Sequence, residues 1–106
     1  MNRIVRGADF RATMRSGRRV PADCSVVYLR ATAPAAPTRF GFIVSKAVGP
    51  AVTRNLVSRR LRAICRGALE ERPTGSDVVV RALPGIAEVP WEQLRSSILR
   101  ATGARR

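Results

Sequence analysis

The chain has 106 residues, of which 45% are hydrophobic and 25% are charged, and its 20 Lys and Arg outnumber 7 Asp and Glu to give a formal net charge of +13. This length allows a single hydrophobic core, and the apolar content excludes a chain that is disordered throughout. The charge indicates a polyanionic partner, because a positive field of this density attracts phosphate backbones. A merely solubilising surface is the alternative, but it would mix both signs along the chain. Between Arg11 and Leu69 the only acidic residue is Asp23.

The residue types that usually hold metals or form disulfides are sparse. There is no histidine, and Cys24 and Cys65 are far apart with no CxxC pair. The usual zinc site is therefore excluded. We expect two free thiols in a reducing compartment, and a disulfide is the alternative. No apolar run reaches the ~20 residues of a membrane span. The first ten residues lack the apolar segment of a signal peptide, so we expect a cytoplasmic protein.

The first predicted element is a short helix over residues 8–16. Phe10 and Met14 lie four residues apart in it, and Gly17 follows. This pattern predicts a helix with one apolar face that is stopped by a glycine C-cap.

Three strands are predicted, over residues 24–31, 39–46 and 76–83, with a proline-containing loop at 33–37 between the first two. The third has a near-continuous apolar centre, which suits the middle of a sheet. The first alternates and should present two different faces, with Val27, Leu29 and Ala31 on one side and Val26, Tyr28 and Arg30 on the other.

Two further helices complete the order αββαβα. A long helix should begin near Pro50 and end before Pro73, and an amphipathic one should span residues 91–101. The predicted fold class is a single-domain α+β sandwich. Its strand, long helix and strand could form a βαβ unit, for which a right-handed crossover is the general default.

The long helix divides into an apolar stripe and a basic face. On a helical wheel the apolar residues cluster as one stripe: Val57, Leu61, Ile64, Cys65 and Ala68. A polar face, here called the arginine face, consists of Asn55, Arg59, Arg62 and Arg66. Like charges at this spacing destabilise a helix by a few tenths of a kcal/mol per pair, and no Glu or Asp alternates with these residues to relieve the repulsion. The face is therefore expected to meet a polyanion; the alternative is a solvated face whose arginines lie over apolar neighbours.

Two residues of this helix lie outside the group that their chemistry would suggest. Arg60 lies off the arginine face and suits the solvated alternative, whereas Leu56 is an apolar residue outside the stripe.

The stretch VSKAVGPAVTRNLVSRRLR, residues 44–62, reads as a strand that ends in Ser-Lys, a glycine-containing loop and a helix that carries Arg-Asn. Before it come the Asp9-Phe10 pair, Gly17 and a Val-Val-Tyr strand, and after it the amphipathic helix. In this order the features resemble those of the bacterial ribonuclease P protein family. The resemblance covers essentially the whole chain, residues 1–106, as one RNA-binding domain.

The resemblance implies a fold and a set of contacts. The family's sandwich has a left-handed βαβ crossover, an exception to the general rule. Chain ends 1–7 and 102–106 are expected to be flexible. By position in the motif, the implied RNA-binding residues are Lys46, Arg54, Asn55, Arg59 and Arg62. Arg66 is added to them as a member of the arginine face. The implied cleft for the single-stranded 5′ leader of precursor tRNA lies between the first helix and the sheet and is formed by Phe10, Met14 and Tyr28; unpaired bases stack on aromatic faces in such clefts.

The resemblance also implies that the RNA subunit, and not the protein, carries out the chemistry. The sequence offers no convincing general base, nucleophile or metal cluster, so no catalytic residue is expected in the protein. In the family a catalytic RNA with bound Mg²⁺ hydrolyses the phosphodiester and releases the leader, leaving a 5′ phosphate on the tRNA. Such a protein would bind the RNA subunit and the precursor tRNA. It would also lower the Mg²⁺ concentration that cleavage requires. Neither a membrane nor DNA is expected as a partner.

Three positions depart from the family pattern. Leu56 stands where an arginine is usual, Ser58 where a lysine is common, and Met14 where an aromatic residue is frequent. The main alternative is a structural RNA-binding protein such as a small ribosomal protein, which would not need the cleft residues. A helix-turn-helix DNA binder ranks last, because no short helix with a tight turn precedes the basic one.

Overall fold

The computed structural model describes residues 1–103. Along this range the elements are strand β1 (Asn2–Arg3), helix α1 (Gly7–Ser16), strands β2 (Arg18–Ala22), β3 (Ser25–Ala31) and β4 (Arg39–Ile43), helix α2 (Ala51–Glu71), strand β5 (Ser76–Ala82) and helix α3 (Trp91–Ala101). Single 3₁₀ turns, Lys46–Val48 and Ile86–Glu88, precede α2 and α3. The predicted α+β class is confirmed, and each of the six predicted elements is present. The strand predicted over residues 39–46 is shorter than expected, because it ends at Ile43 and Lys46 lies in a 3₁₀ turn.

The strands form one mixed sheet in the order β1-β4-β5-β3-β2. β4 is parallel to β1 and β5, whereas β3 is antiparallel to β5 and β2. β4, α2 and β5 therefore form the predicted βαβ unit. The left-handed sense of its crossover stays a prediction from the family resemblance.

β2 is a strand that the sequence pattern did not predict. Its residues, RRVPA, pair with β3 as an antiparallel hairpin in which Pro21 lies opposite Val26. A proline has no N–H to donate, so it normally interrupts a strand. At the edge of a sheet that missing donor costs no interstrand bond, which is why the proline is tolerated here.

Residues 2–4, within the segment 1–7 predicted to be flexible, pair with the sheet in the structure. Asn2 and Arg3 pair with β4, and the Ile4 N–H donates to the carbonyl of Phe40 at 2.9 Å. The physical reason is the side chain of Ile4, which is 4% exposed and fills a gap beneath α1. At the other end, buried Thr102 donates its hydroxyl to the carbonyl of Leu99, while residues 104–106 of the segment predicted to be flexible lie outside the described residues.

The sheet separates two apolar clusters of unequal size. α2 and α3 cover one face and bury the main core, which includes Val27, Phe40, Leu61, Val78, Val80 and Ile98. α1 covers the other face over a smaller group, here called the α1 cluster: Ile4, Val26, Tyr28 and Val79, with half-buried Phe10 and Met14 against them. The two faces predicted for β3 are confirmed.

Gly17 ends α1 for a reason other than the predicted one. Its φ of −81° and ψ of 165° are extended, not the left-handed conformation of a glycine C-cap. Instead, a Cβ there would lie 2.7 Å from the carbonyl oxygen of Leu29 and would also collide with the carbonyl of Thr13. Glycine is needed because the backbone at this point passes close to the carbonyl of Leu29 in β3.

The apolar stripe predicted for α2 is confirmed in full. Val57, Leu61, Ile64, Cys65 and Ala68 are its buried residues. Within residues 1–103, no helix combines the length and apolarity that crossing a membrane requires.

Candidate nucleic-acid interface

The arginine face lies on the side of α2 away from the core. Asn55, Arg59 and Arg66 are exposed, while Arg62 is half-buried. The Nε of Arg62 is buried and has no hydrogen-bond partner among the described residues. A buried donor without a partner is unfavourable, and an acceptor from outside the chain would relieve it.

Lys46 and Arg54 extend the basic surface to the start of α2. Lys46 is exposed in the 3₁₀ turn before the helix. Arg54 is half-buried, and its Nε donates to the carbonyl of Gly49 at 3.1 Å, which fastens the loop to the helix. Because the first turn of α2 holds no acidic residue, the partial positive charge of the helix N-terminus adds to these side chains.

Three other α2 residues differ from their neighbours. Arg60 donates from Nη1 to the carbonyl of Ala87 at 3.3 Å, which supports a packing role for this arginine. Leu56 is half-buried but belongs to neither apolar cluster, and Ser58 is half-buried as well. The structure thus gives Leu56 no role in the core.

The α1 cluster brings together the three residues predicted to form the leader cleft. Phe10 packs directly on β4, where a Cβ on Gly41 would lie 2.7 Å from its Cζ, so only glycine allows this approach. Phe10 and Met14 are half-buried, whereas Tyr28 is only 7% exposed. Tyr28 therefore mainly supports the cluster, and Phe10 and Met14 offer more of the accessible surface.

A row of charged residues, here called the ion-pair row, crosses the same face of the sheet beside α1. The strand register places Arg30 of β3 and Arg39 of β4 on either side of Asp77 in β5. Arg39 donates to the Asp77 carboxylate from Nε at 3.0 Å and from Nη2 at 2.7 Å, and Arg30 donates from Nη2 at 3.0 Å. Arg39 also contacts Asp9 of α1, with 3.4 Å between Nη1 and Oδ2. The row therefore ties α1 to three strands.

The ion-pair row controls the protonation of its central carboxylate. Burial alone would raise the pKa of Asp77, but hydrogen bonds from Arg39 and Arg30 outweigh it and hold the pKa below its ordinary value. The Asp77 hydrogen bond, opposed by burial, raises the pKa of Arg39. Sequence reasoning missed this row, although one acid inside the apolar strand SDVVVRA was an available signal.

The acidic and cysteine side chains do not cluster among the described residues. Between residues 1 and 103, no three Cys, Asp or Glu side chains lie close enough to hold a metal ion, so these donors do not fit a resident Mg²⁺. Both cysteines are free, and burial raises the pKa of Cys65 to about 12, which keeps it a thiol. The arrangement is suited to binding: the fold, the arginine face and the α1 cluster define a small, basic α+β protein of the nucleic-acid-binding class.

Comparison with known proteins specifies the class. A protein-family model described as Ribonuclease P matches residues 1–104. The ribonuclease P protein component of Clavibacter michiganensis is 48% identical over 100 residues, covering 94% of this chain and 88% of that protein. The ribonuclease P protein component of Kocuria rhizophila is 49% identical over 109 residues, covering 99% of this chain and 94% of that protein. The solved RNase P protein of Staphylococcus aureus has a TM-score of 0.84 at 26% identity, covering 97% of this chain and 94% of that one.

The chain belongs to the bacterial ribonuclease P protein family. It is thus a protein subunit of the RNase P ribozyme, an endoribonuclease complex that processes the 5′ end of precursor tRNA, and its partner is RNase P RNA.

Proposed function

We propose that the arginine face, together with Lys46 and Arg54, binds RNase P RNA through its phosphates. The observation that carries this proposal is the unbalanced charge of the surface. None of its basic side chains makes an ion pair with another described residue, whereas Arg30 and Arg39 are both paired. The arginines of the arginine face therefore keep their charged donors for phosphate oxygens, which a guanidinium group binds with bidentate geometry.

The α1 cluster is proposed as the site for the 5′ leader of precursor tRNA. Support comes from the half-buried Phe10 and Met14, which lie side by side on a helix that the ion-pair row holds against the sheet. An unpaired base can stack on the phenylalanine ring, and the methionine can cover a neighbouring base with its polarisable sulfur. Tyr28 supports both from below and contributes less contact surface.

The chemistry is assigned to the RNA. Mg²⁺ is taken to be bound mainly by RNase P RNA, because the described side chains of the protein do not fit it. The basic surface would screen repulsion between the phosphates of the RNA and of the precursor, and so lower the Mg²⁺ concentration that cleavage requires. Because precursor tRNA is made in the cytoplasm, that compartment is the proposed location.

Cleavage at low Mg²⁺ tests this function. A precursor tRNA with a short 5′ leader is incubated with a bacterial RNase P RNA, with and without the protein. We expect the protein to stimulate cleavage at the mature 5′ end, and the stimulation to shrink as Mg²⁺ is raised. Tight RNA binding without stimulation, after the cognate RNA has been used, would favour a structural RNA-binding role instead.

A further inference from the structure

A cavity of about 440 Å³ lies at the ion-pair row, next to β1. Its charged lining consists of Arg3, Arg30, Arg39 and Asp77. Neither the arginine face nor the three residues proposed for the leader line it. The function proposed above therefore leaves this cavity, here called the row pocket, without a role.

The charges of the row pocket favour an anion. Both oxygens of Asp77 already accept hydrogen bonds, from Arg39 to Oδ1 and from Arg39 and Arg30 to Oδ2. The carboxylate therefore has little capacity left for a ligand, but it neutralises only one of the three guanidinium groups that line the pocket. Even when Asp9, which contacts Arg39 from α1, is counted, three positive charges against two negative ones leave an excess of one.

Two buried polar atoms at the row pocket have no partner. The Nε of Arg30 and the Oγ1 of Thr32 make no hydrogen bond with any described residue. A buried donor without an acceptor is costly, and native structures rarely keep one without a reason. The oxygens of a bound anion could accept from both, and exposed Arg3, which makes no ion pair with another described residue, could supply a further donor.

Part of the lining of the row pocket is apolar and lies on a fastened loop. Ala36 and Pro37 form this apolar wall. The loop that carries them is fastened at both sides, because the Thr32 N–H donates to the carbonyl of Gly75 at 2.9 Å and the Gly75 N–H donates to the carbonyl of Ala36 at 2.8 Å. A preformed cavity of this volume, with a few convergent polar groups and an apolar wall, is typical of a site for a small organic ligand.

We propose that the row pocket binds the 5′-phosphate of a ribonucleotide. The phosphate lies against Arg3, Arg30 and the Thr32 hydroxyl, and the ribose and base lie along the apolar wall. A phosphomonoester matches the excess positive charge, and the wall explains why a nucleotide is favoured over a bare phosphate. A free nucleotide and the 5′-phosphorylated end of an RNA strand share this chemistry.

An NMR titration of the ¹⁵N-labelled full chain tests the site. AMP, adenosine and inorganic phosphate are each added, and the backbone amides of Arg3, Thr32 and Ala36 are followed. We expect saturable shifts with AMP and at least about tenfold weaker binding of both fragments, since a charge-assisted contact of ~1.4 kcal/mol corresponds to a factor of ten. No saturable shift at these amides would overturn the proposal, as would inorganic phosphate binding as tightly as AMP.

A second arm separates the two sources of the ligand. A short single-stranded RNA is added with either a 5′-phosphate or a 5′-hydroxyl. Shifts of the pocket amides that require the 5′-phosphate identify an RNA end, whereas shifts with AMP alone identify a free nucleotide. Equal shifts with both RNAs would contradict a phosphomonoester site.

Matched variants link the binding to the pocket. Arg3→Gln and Thr32→Val should each weaken AMP binding about tenfold, because each removes one donor. Arg100→Gln, an exposed arginine of α3 outside the pocket, removes the same charge and should leave AMP affinity unchanged. An equal loss with Arg100→Gln would show a nonspecific charge effect and overturn the site. Thermal unfolding of each variant verifies that it is folded.

Discussion

The two faces of the sheet are built from the same strands but differ in the residues that they carry. In β5, Val78, Val80 and Ala82 enter the main core under α2 and α3, while Asp77, Val79 and Arg81 belong to the other face. That second face buries a much smaller apolar cluster and carries the ion-pair row and the row pocket. The comparison indicates that one face provides most of the stability, which leaves the other free for charged and half-buried residues, for which we propose binding roles.

The largest expected effect tests the stability of the main core. Leu61 is fully buried, so Leu61→Ala should lower the free energy of unfolding by about 3 kcal/mol, through lost burial and a cavity. Met14→Ala, in the half-buried part of the α1 cluster, should cost less than half as much. Urea denaturation measures both. An equal cost for the two variants would contradict the division between the faces.

Next in size is the loss of RNA affinity from the arginine face, for which α2 supplies its own control. Arg59→Ala and Arg62→Ala should each weaken binding to RNase P RNA by about 1 to 3 kcal/mol and reduce the salt slope by about one. Arg60→Ala should change RNA affinity less and lower stability instead, because Arg60 bonds to the carbonyl of Ala87. Filter binding across a salt series measures this; unchanged slopes for Arg59 and Arg62 would rule out the phosphate contacts.

The ion-pair row should make the free energy of unfolding depend on pH in the acidic range. The folded pKa of Asp77 lies below its unfolded value of about 3.9, so the unfolded state binds more protons in this range. The contribution of Asp77 is therefore fully present above pH ~4 and is lost as the pH falls through the folded pKa.

Asp77→Asn provides the comparison. It should lower the free energy of unfolding near neutral pH by about 1 to 2 kcal/mol, a modest value because both arginine partners are about a third exposed. It should also flatten the loss of stability on acidification. Denaturation at several pH values measures both effects. If the free energy of unfolding of Asp77→Asn fell with acidification as steeply as that of the wild type, the acid sensitivity would come from other carboxylates.

The smallest effect concerns the departure at Leu56. Because Leu56 belongs to neither apolar cluster, Leu56→Arg should strengthen RNA binding by about 0.5 to 1 kcal/mol with little change in stability. Ser58→Lys is the matched test of the neighbouring departure. Weaker RNA binding by Leu56→Arg would mean that Leu56 has a contact role of its own.

Local pattern predicted much of this fold, and long-range pairing explains the rest. The stripe from Val57 to Ala68 follows from helical periodicity alone, and all of it is buried. β2 was missed because Pro21 disfavours a strand except at an edge, and edge position depends on the whole sheet. Arg30, Asp77 and Arg39 are distant in sequence and become neighbours only through the register of three strands.

The candidate site, too, could be predicted from local sequence pattern only in part. Helical spacing predicted that Phe10 and Met14 share a face, and the structure places them together on the sheet. The small exposed fraction of Tyr28 could not be predicted, because it depends on how closely α1 approaches, which Gly41 determines by admitting the ring of Phe10.

The preference of the holoenzyme for precursor over mature tRNA tests the central claim most directly. Dissociation constants for both tRNAs are measured with RNase P RNA and wild-type protein, with Phe10→Leu, and with Phe42→Leu, which changes the main-core face of the same sheet. We predict that Phe10→Leu reduces the difference in binding free energy between precursor and mature tRNA by about 1 kcal/mol or more, because base stacking is lost. Phe42→Leu should leave this difference unchanged. A full preference in a folded, RNA-bound Phe10→Leu holoenzyme would contradict the account of the α1 face as the leader site.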